Sequence, residues 1–159
     1  HGTGGAGSAG YPNLNDDDWL WGGKPETIYQ TIRYGIRSEH DEAHASEMPA
    51  FGDMLSAAEI QQIADYVLSL SHKGEGSETG VQLFADNCAS CHGADGRGDR
   101  EFGAPNLADA IWFYGDTKGD IAAQIRKPKH GVMPHWVDRL DDATIRQLTI
   151  YVHSLGGGE

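Results

Sequence analysis

Apolar residues recur at steps of three and four in two segments of the chain, which predicts two amphipathic helices. The first segment, 48–70, reads MPAFGDMLSAAEIQQIADYVLSL, and the second, 133–155, reads MPHWVDRLDDATIRQLTIYVHSL. Ser56 and Asp141 precede the two apolar stripes, and both are residue types that cap helix N-termini. The stripes consist of Ile60, Ile63, Val67 and Leu70 in the first helix and Ile145, Leu148, Val152 and Leu155 in the second. Glycines 156–158 are a typical stop for the second helix.

These two helices belong to an internal repeat. Their segments align without a gap when the chain is shifted by 85 residues. Upstream, the tripeptide PNL occurs at 12–14 and again at 105–107. Each copy is followed by an aromatic cluster, WLWGG at 19–23 and WFYGD at 112–116. Three blocks that recur in the same order indicate two homologous units in tandem.

A third and shorter helix is predicted over 80–92, GVQLFADNCASCH. No alternation typical of strands has a useful length, and the glycine-rich stretches are predicted to be loops. We therefore predict an all-α protein of two small domains, 1–72 and 80–159, joined by a polar linker at 73–79.

The charge balance narrows the class of partner. The chain has 24 acidic and 12 basic side chains and a formal net charge of −12. This acidity argues against binding to nucleic acid and suits a basic protein partner. No apolar run approaches the ~20 residues that span a bilayer, and there is no signal peptide. A membrane anchor or export signal is therefore expected upstream of His1, if there is one.

The only two cysteines, Cys88 and Cys91, are followed directly by His92, which gives the pattern C-x-x-C-H. This spacing is typical of covalent attachment of haem c, because residues three apart on a helical turn share a face. The histidine that follows supplies an axial ligand for the iron. A thioredoxin-like pair would need a βαβ setting, and a zinc site would need two more ligands. Haem is the interpretation that the sequence favours.

Met133 is the candidate for the second axial ligand of this haem. Pro134 favours an extended backbone at Met133, which suits a loop that presents a side chain to a haem face. Met48-Pro49 stands at the equivalent place in the first repeat. This recurrence makes it less favoured that Met133 only fills space in the core. His130 and His135 are rival ligands, but neither has a histidine counterpart in the first repeat.

A ligating imidazole usually donates its other N–H to a carbonyl oxygen. The carbonyl of Pro105 is the predicted acceptor for His92, and Pro12 is its counterpart in the first repeat. Trp112 and Tyr114 either line the haem pocket and bind a haem propionate or form ordinary aromatic core. The sequence leaves these two roles open.

Taken together, NCASCHG, GAPNLADAIWFYG, GYPNLNDDDWLWGG and YVHSLGGGE resemble the di-haem subunit family, CcoP or FixP, of cbb3-type cytochrome c oxidase. The resemblance covers nearly the whole chain and implies two tandem cytochrome c domains. It also implies that His1 and Met48 are the axial ligands of the first haem. The cysteines expected before His1, and the helix carrying them, are absent from the sequence, so we expect a first domain truncated at its N-terminus.

The resemblance implies electron transfer from a donor cytochrome c to the oxygen-reducing subunit, with no catalysis by this chain alone. The implied partners are the catalytic and mono-haem oxidase subunits and a basic donor cytochrome c. The implied location is the periplasmic face of the bacterial inner membrane, with an anchor upstream of this chain. A soluble di-haem shuttle, a di-haem peroxidase and a gas sensor are the alternatives, and the last two need an open iron position.

Overall fold

The computed structural model describes residues 1–159, and it consists of helices and loops with isolated β-bridges but no strand. The helices are α1 (Pro25–Tyr34), α2 (Ala57–Leu70), α3 (Glu78–Asn87), α4 (Ala89–His92), α5 (Lys118–Arg126) and α6 (Asp142–Ser154). Two short 3-10 turns cover Thr3–Gly5 and Phe51–Asp53. The predicted all-α class is therefore confirmed.

The two predicted caps are present at the N-termini of the repeated helices. The Ser56 hydroxyl accepts the backbone N–H of Glu59, and the Glu59 carboxylate accepts the backbone N–H of Ser56. The Asp141 carboxylate accepts the N–H of Thr144 at 2.7 Å. Each cap satisfies a backbone donor that has no partner inside the helix. The predicted helix over 80–92 is divided at Cys88 into α3 and α4.

The chain forms two compact units that interleave along the sequence. The first unit combines His1–Ser46 with His130–Glu159, and the second unit is the continuous segment Glu47–Lys129. The predicted domains, 1–72 and 80–159, do not match these units. The predicted linker, 73–79, lies inside the second unit between α2 and α3.

Helix packing explains this division. In the second unit, α2 packs against both α3 and α5. The resulting second core contains Phe51, Ile60, Ile63, Ala64, Val67, Phe84, Cys88, Ile121, Ala122 and Ile125. Ile60, Ile63 and Val67 are at most 4% exposed, so most of the apolar stripe of α2 is buried in this core. Burying a side chain of this size contributes about 1.5–3 kcal/mol, which ties α2 to this unit.

In the first unit, α6 packs against α1. Ile28, Ile32 and Ile145 form the buried first core, with Trp19, Tyr29, Met133, Trp136, Leu140 and Val152 packed around it. The loop before α6 is attached to the end of α1, because Ile36 and Met133 exchange backbone hydrogen bonds of 3.0 Å in both directions. The segment 130–159 is thereby part of the same unit as the N-terminal 46 residues.

Candidate functional site

The C-x-x-C-H pentapeptide occupies the turn of α4 that follows α3. The N–H groups of Cys91 and His92 both donate to the carbonyl of Cys88, at 3.2 and 3.0 Å. Neither cysteine forms a disulfide. Burial raises the pKa of the Cys88 thiol to about 11, with a smaller contribution from Cys91. Two unpaired thiols therefore lie on one short helical turn, directly before the histidine.

The imidazole of His92 is buried and held in one orientation. It is 9% exposed, and its Nδ1 lies 3.1 Å from the carbonyl oxygen of Pro105. The carbonyl can only accept, so Nδ1 carries the proton and Nε2 keeps its lone pair. Burial lowers the pKa of His92, and the Pro105 hydrogen bond opposes this only in part. His92 is therefore a neutral imidazole with Nε2 suited to a metal ion. The predicted Pro105 hydrogen bond is confirmed.

The loop between His92 and Pro105 is shaped by a glycine. Gly98 donates its N–H to the carbonyl of His92 at 2.8 Å and has φ +81°. A Cβ at this position would lie 2.4 Å from the carbonyl oxygen of Ala104. Only glycine permits both the left-handed backbone and this close approach. Gly98 thus positions the Pro105 carbonyl beside the imidazole.

Met48, Trp112 and Leu107 pack against the second core, in which Cys88 is a buried member. The indole Nε1 of Trp112 is buried and has no hydrogen-bond partner. Tyr114 is not part of this core. Its ring centroid lies 5.9 Å from the Nζ atom of Lys129. The second unit therefore combines a neutral histidine, two thiols, a thioether and one buried donor in need of an acceptor.

The first unit repeats this arrangement around His1. The Nδ1 of His1 lies 2.9 Å from the carbonyl oxygen of Pro12. Gly7 donates to the His1 carbonyl at 2.8 Å, as Gly98 does to His92. Gly7 also has a positive φ, +76°. The predicted Pro12 counterpart is confirmed, and the loop around His1 follows the same hydrogen-bond pattern as the loop around His92.

Met133 lies in the first unit and not with His92. It packs against the first core, and its loop is held by Arg37, whose Nε donates to the Gly131 carbonyl at 2.7 Å. The Nη1 of Arg37 donates to the Ser46 carbonyl at 2.9 Å, so one guanidinium joins two loops. Arg37 has no arginine counterpart in the second repeat, so its role could not be inferred from the repeat.

The sequence predicts Met133 as the partner of His92. The family resemblance implies Met48 as the partner of His1. The structure instead places Met48 in the unit of His92, and Met133 in the unit of His1. The rival ligands His130 and His135 also lie in the first unit. His135 faces Asp138 at 3.2 Å, so it has a partner of its own. The residues that the structure brings together are therefore different from those predicted.

Both histidine sites lie in parts of the chain that match a known protein family. The sequence matches the family model of cytochrome C oxidase, cbb3-type, subunit III, over residues 1–67 and 76–152. The chain belongs to this family. The match covers both repeats and both histidine loops, and it leaves out residues 68–75, which include the end of α2, and residues 153–159.

Curated relatives agree with the subunit III assignment. The chain is 60% identical over 163 residues to the cbb3-type cytochrome c oxidase subunit FixP of Sinorhizobium medicae, and 59% identical to FixP of Rhizobium meliloti. It is 52% identical over 165 residues to subunit CcoP of Cereibacter sphaeroides. These alignments cover 100% of this chain but only 56–57% of each relative. The chain spans little more than half the length of the relatives it matches.

Membrane-spanning helices and clusters of metal-binding side chains are both absent from this subunit III chain. None of its six helices combines the length and the apolar character needed to traverse a bilayer. No group of three or more histidine, cysteine, aspartate or glutamate side chains could hold a metal ion.

Proposed function

We propose that this chain is an electron-transfer segment that carries haem c, within the subunit of a cbb3-type cytochrome c oxidase. The observation that carries the proposal is the neutral imidazole of His92, fixed by Pro105 directly after two unpaired thiols. A His/thiolate zinc centre would need further ligands, and the chain offers none.

The residues of the second unit fit this group. Cys88 and Cys91 supply the two sulfurs for thioether bonds, and His92 supplies a nitrogen ligand. The buried N–H of Trp112 has no acceptor in the protein, and the carboxylates of haem are acceptors of the kind it needs. When bound, haem supplies reversible one-electron chemistry between ferric and ferrous iron.

We propose that Met48 is the second axial ligand in this unit, because it packs against the same core as Cys88. A thioether stabilises the reduced iron more than a second imidazole would. A histidine and a methionine of this chain would together supply both protein ligands of the iron, which would leave no ligand position for a substrate. This closed arrangement favours electron transfer over a peroxidase or a gas sensor.

In the first unit, His1 and Met133 are the proposed axial ligands. Both lie in that unit, and the His1 imidazole is held by Pro12 as His92 is by Pro105. The two cysteines for this haem would come from residues that precede His1. The proposed whole protein therefore carries two haem c groups, one in each unit.

The family of this chain and its negative net charge both support specific protein partners. We propose the catalytic and mono-haem subunits of the oxidase as neighbours, with the chain on the periplasmic face of the inner membrane and an anchor preceding it. A net charge of −12 suits a basic donor cytochrome c.

We expect the association rate with a basic donor cytochrome c to fall steeply as salt is added. The Debye length shortens from about 10 Å at 0.1 M ionic strength to about 3 Å at 1 M, so long-range attraction is screened. Stopped-flow measurement of electron transfer from reduced donor, at several salt concentrations, checks this. A rate that ionic strength leaves unchanged would remove the basic donor from the proposal.

The function itself is tested by optical redox titration of the purified whole protein together with carbon monoxide. We expect reversible one-electron reduction and no stoichiometric binding of carbon monoxide, because the chain fills both axial positions. Tight stoichiometric binding would instead establish an open iron site and favour the peroxidase or sensor. A colourless protein with free thiols would contradict haem attachment altogether.

A further inference from the structure

Trp19 and Trp112 occupy equivalent places in the two repeats, five residues after the leucine of each PNL. Trp19 packs against the first core, together with Met133. Trp112 packs against the second core, together with Met48. Each unit thus has one of these two equivalent tryptophans packed against the same core as its proposed methionine ligand.

The hydrogen bonding of these two indoles differs. The Nε1 of Trp19 donates to the backbone carbonyl of Gly157 at 2.6 Å. The Nε1 of Trp112 is buried and unpaired. A buried N–H without an acceptor costs about 1–3 kcal/mol, so Trp112 is suited to an acceptor supplied by a bound group. Trp19 already has its acceptor within the chain.

The acceptor of Trp19 is on a C-terminal tail, Gly156–Glu159, that lies close to the loop before α1. A Cβ on Gly157 would be 1.8 Å from the carbonyl oxygen of Asp16, and one on Gly156 would be 2.3 Å from that of Asn15. The N–H of Glu159 donates to the carbonyl of Gly23 at 3.1 Å. Only glycine allows the backbone to approach this closely, so the contact depends on the Gly-Gly-Gly sequence.

The second unit has no such tail. In the repeat, His72 and Lys73 stand where the first unit has Gly157 and Gly158. Their side chains exclude the same close approach, and the N–H of Lys73 donates to the carbonyl of Leu68 instead. The Lys73 ammonium pairs with Asp116 at 2.6 Å, so a side-chain ion pair joins this segment to the loop before α5. The difference between the two indoles is therefore encoded in the sequence after each repeated helix.

We propose that the glycine tail makes the two haem sites inequivalent: Trp112 donates its N–H to a carboxylate of the haem in its unit, whereas the tail keeps the N–H of Trp19 from doing so. This rests on the proposed haem function. A donor to a haem carboxylate disperses its negative charge and so removes part of the stabilisation of ferric iron. The haem of the second unit is thereby easier to reduce than it would be without Trp112, and the first unit lacks this contribution.

The experiment measures the midpoint potentials of both haems in the whole di-haem protein by spectroelectrochemistry. Trp112→Phe is expected to lower the equilibrium constant for reduction of the second-unit haem by roughly three- to tenfold, a part of what a hydrogen bond to a charged group contributes. Trp19→Phe is expected to leave the first-unit haem unchanged.

Gly157→Ala tests whether the tail acts by accepting the N–H of Trp19 and not by packing against the first unit. The added Cβ displaces the tail and frees the N–H of Trp19, so the first-unit haem becomes easier to reduce. In the double variant Gly157→Ala with Trp19→Phe, that shift disappears, because no N–H is left to donate. Gly74→Ala is the control, since the nearest atom to its Cβ, on Leu68, is 4.0 Å away.

A Gly157→Ala shift that persists with phenylalanine at position 19, or no shift in either background, would overturn the proposal. So would a Trp112→Phe variant with an unchanged potential. If the whole protein contains no haem, the proposed function fails instead, and the haem spectrum of the unsubstituted protein distinguishes the two failures. Exchange of the Trp19 indole N–H with deuterium, followed by NMR, gives a second readout: it is expected to be slow in the unsubstituted protein and fast in Gly157→Ala.

Discussion

Met48→His is expected to lower the midpoint potential of the haem attached at Cys88 and Cys91 and to leave the other haem unchanged. Met48 packs against the core that contains Cys88, and Met133 lies in the other unit. An imidazole favours ferric iron relative to a thioether. Axial ligands set haem potentials over about 0.8 V, so a fall of at least ~60 mV, or tenfold in the equilibrium constant, is expected.

Met133→His is the reciprocal variant, and it is expected to lower only the potential of the first-unit haem. Met54→His is the matched control, because Met54 is 66% exposed and packs against neither core. Redox titration of the three variants, with each haem followed by its own optical or EPR signal, checks the assignment. If Met133→His moved the potential of the Cys88/Cys91 haem, the pairing by unit would be contradicted and the pairing by sequence repeat would stand.

Replacing both cysteines, Cys88→Ser with Cys91→Ser, is expected to remove covalent haem from the second unit almost completely, by at least ~tenfold. Serine hydroxyls do not form the thioether bonds, and the C-x-x-C-H pattern has no other sulfur nearby. Haem staining of the denatured protein and intact mass measure the loss. In the whole di-haem protein the signal should fall to that of one haem.

Ser90→Ala is the control for the cysteine variant. Ser90 stands between the two cysteines and is exposed, and its hydroxyl lies 3.9 Å from the sulfur of Cys91. Full haem content is expected in this variant, because the turn of α4 is held by backbone hydrogen bonds to Cys88 and Ala89. Equal haem loss in Ser90→Ala and in the double variant would mean that the turn, and not the thiols, determines attachment.

Local chemistry was predictable from the sequence to a large extent. The caps at Ser56 and Asp141 and the carbonyl acceptor at Pro105 are present in the structure. Each of these depends on residues within about a dozen positions of one another, where spacing determines which groups can meet. Helices α1 and α5 were not predicted, because they are only 10 and 9 residues long and each buries only two or three apolar side chains.

The pairing of helices was not predictable, and the repeat itself is the reason. Because α2 and α6 have homologous sequences, either could pack against α5 as far as side-chain pattern is concerned. The sequence shows which faces are apolar but not which of two similar partners covers them. Contacts between distant residues decide this, such as those of Arg37 with Gly131 and of Trp19 with Gly157. None of these has a counterpart in the other repeat from which it could be inferred.

The interleaved order of the chain sets the sequence of events during synthesis. The second unit is continuous, so it has all of its residues once Lys129 has left the ribosome. The first unit also needs α6, so it has to wait until Ser154 has been made. The folded second unit replaces a long flexible loop between positions 46 and 130. This reduces the chain entropy lost when the first unit folds. Maturation of the His1 site is therefore governed by the segment 130–159, which is translated after the whole of the second unit.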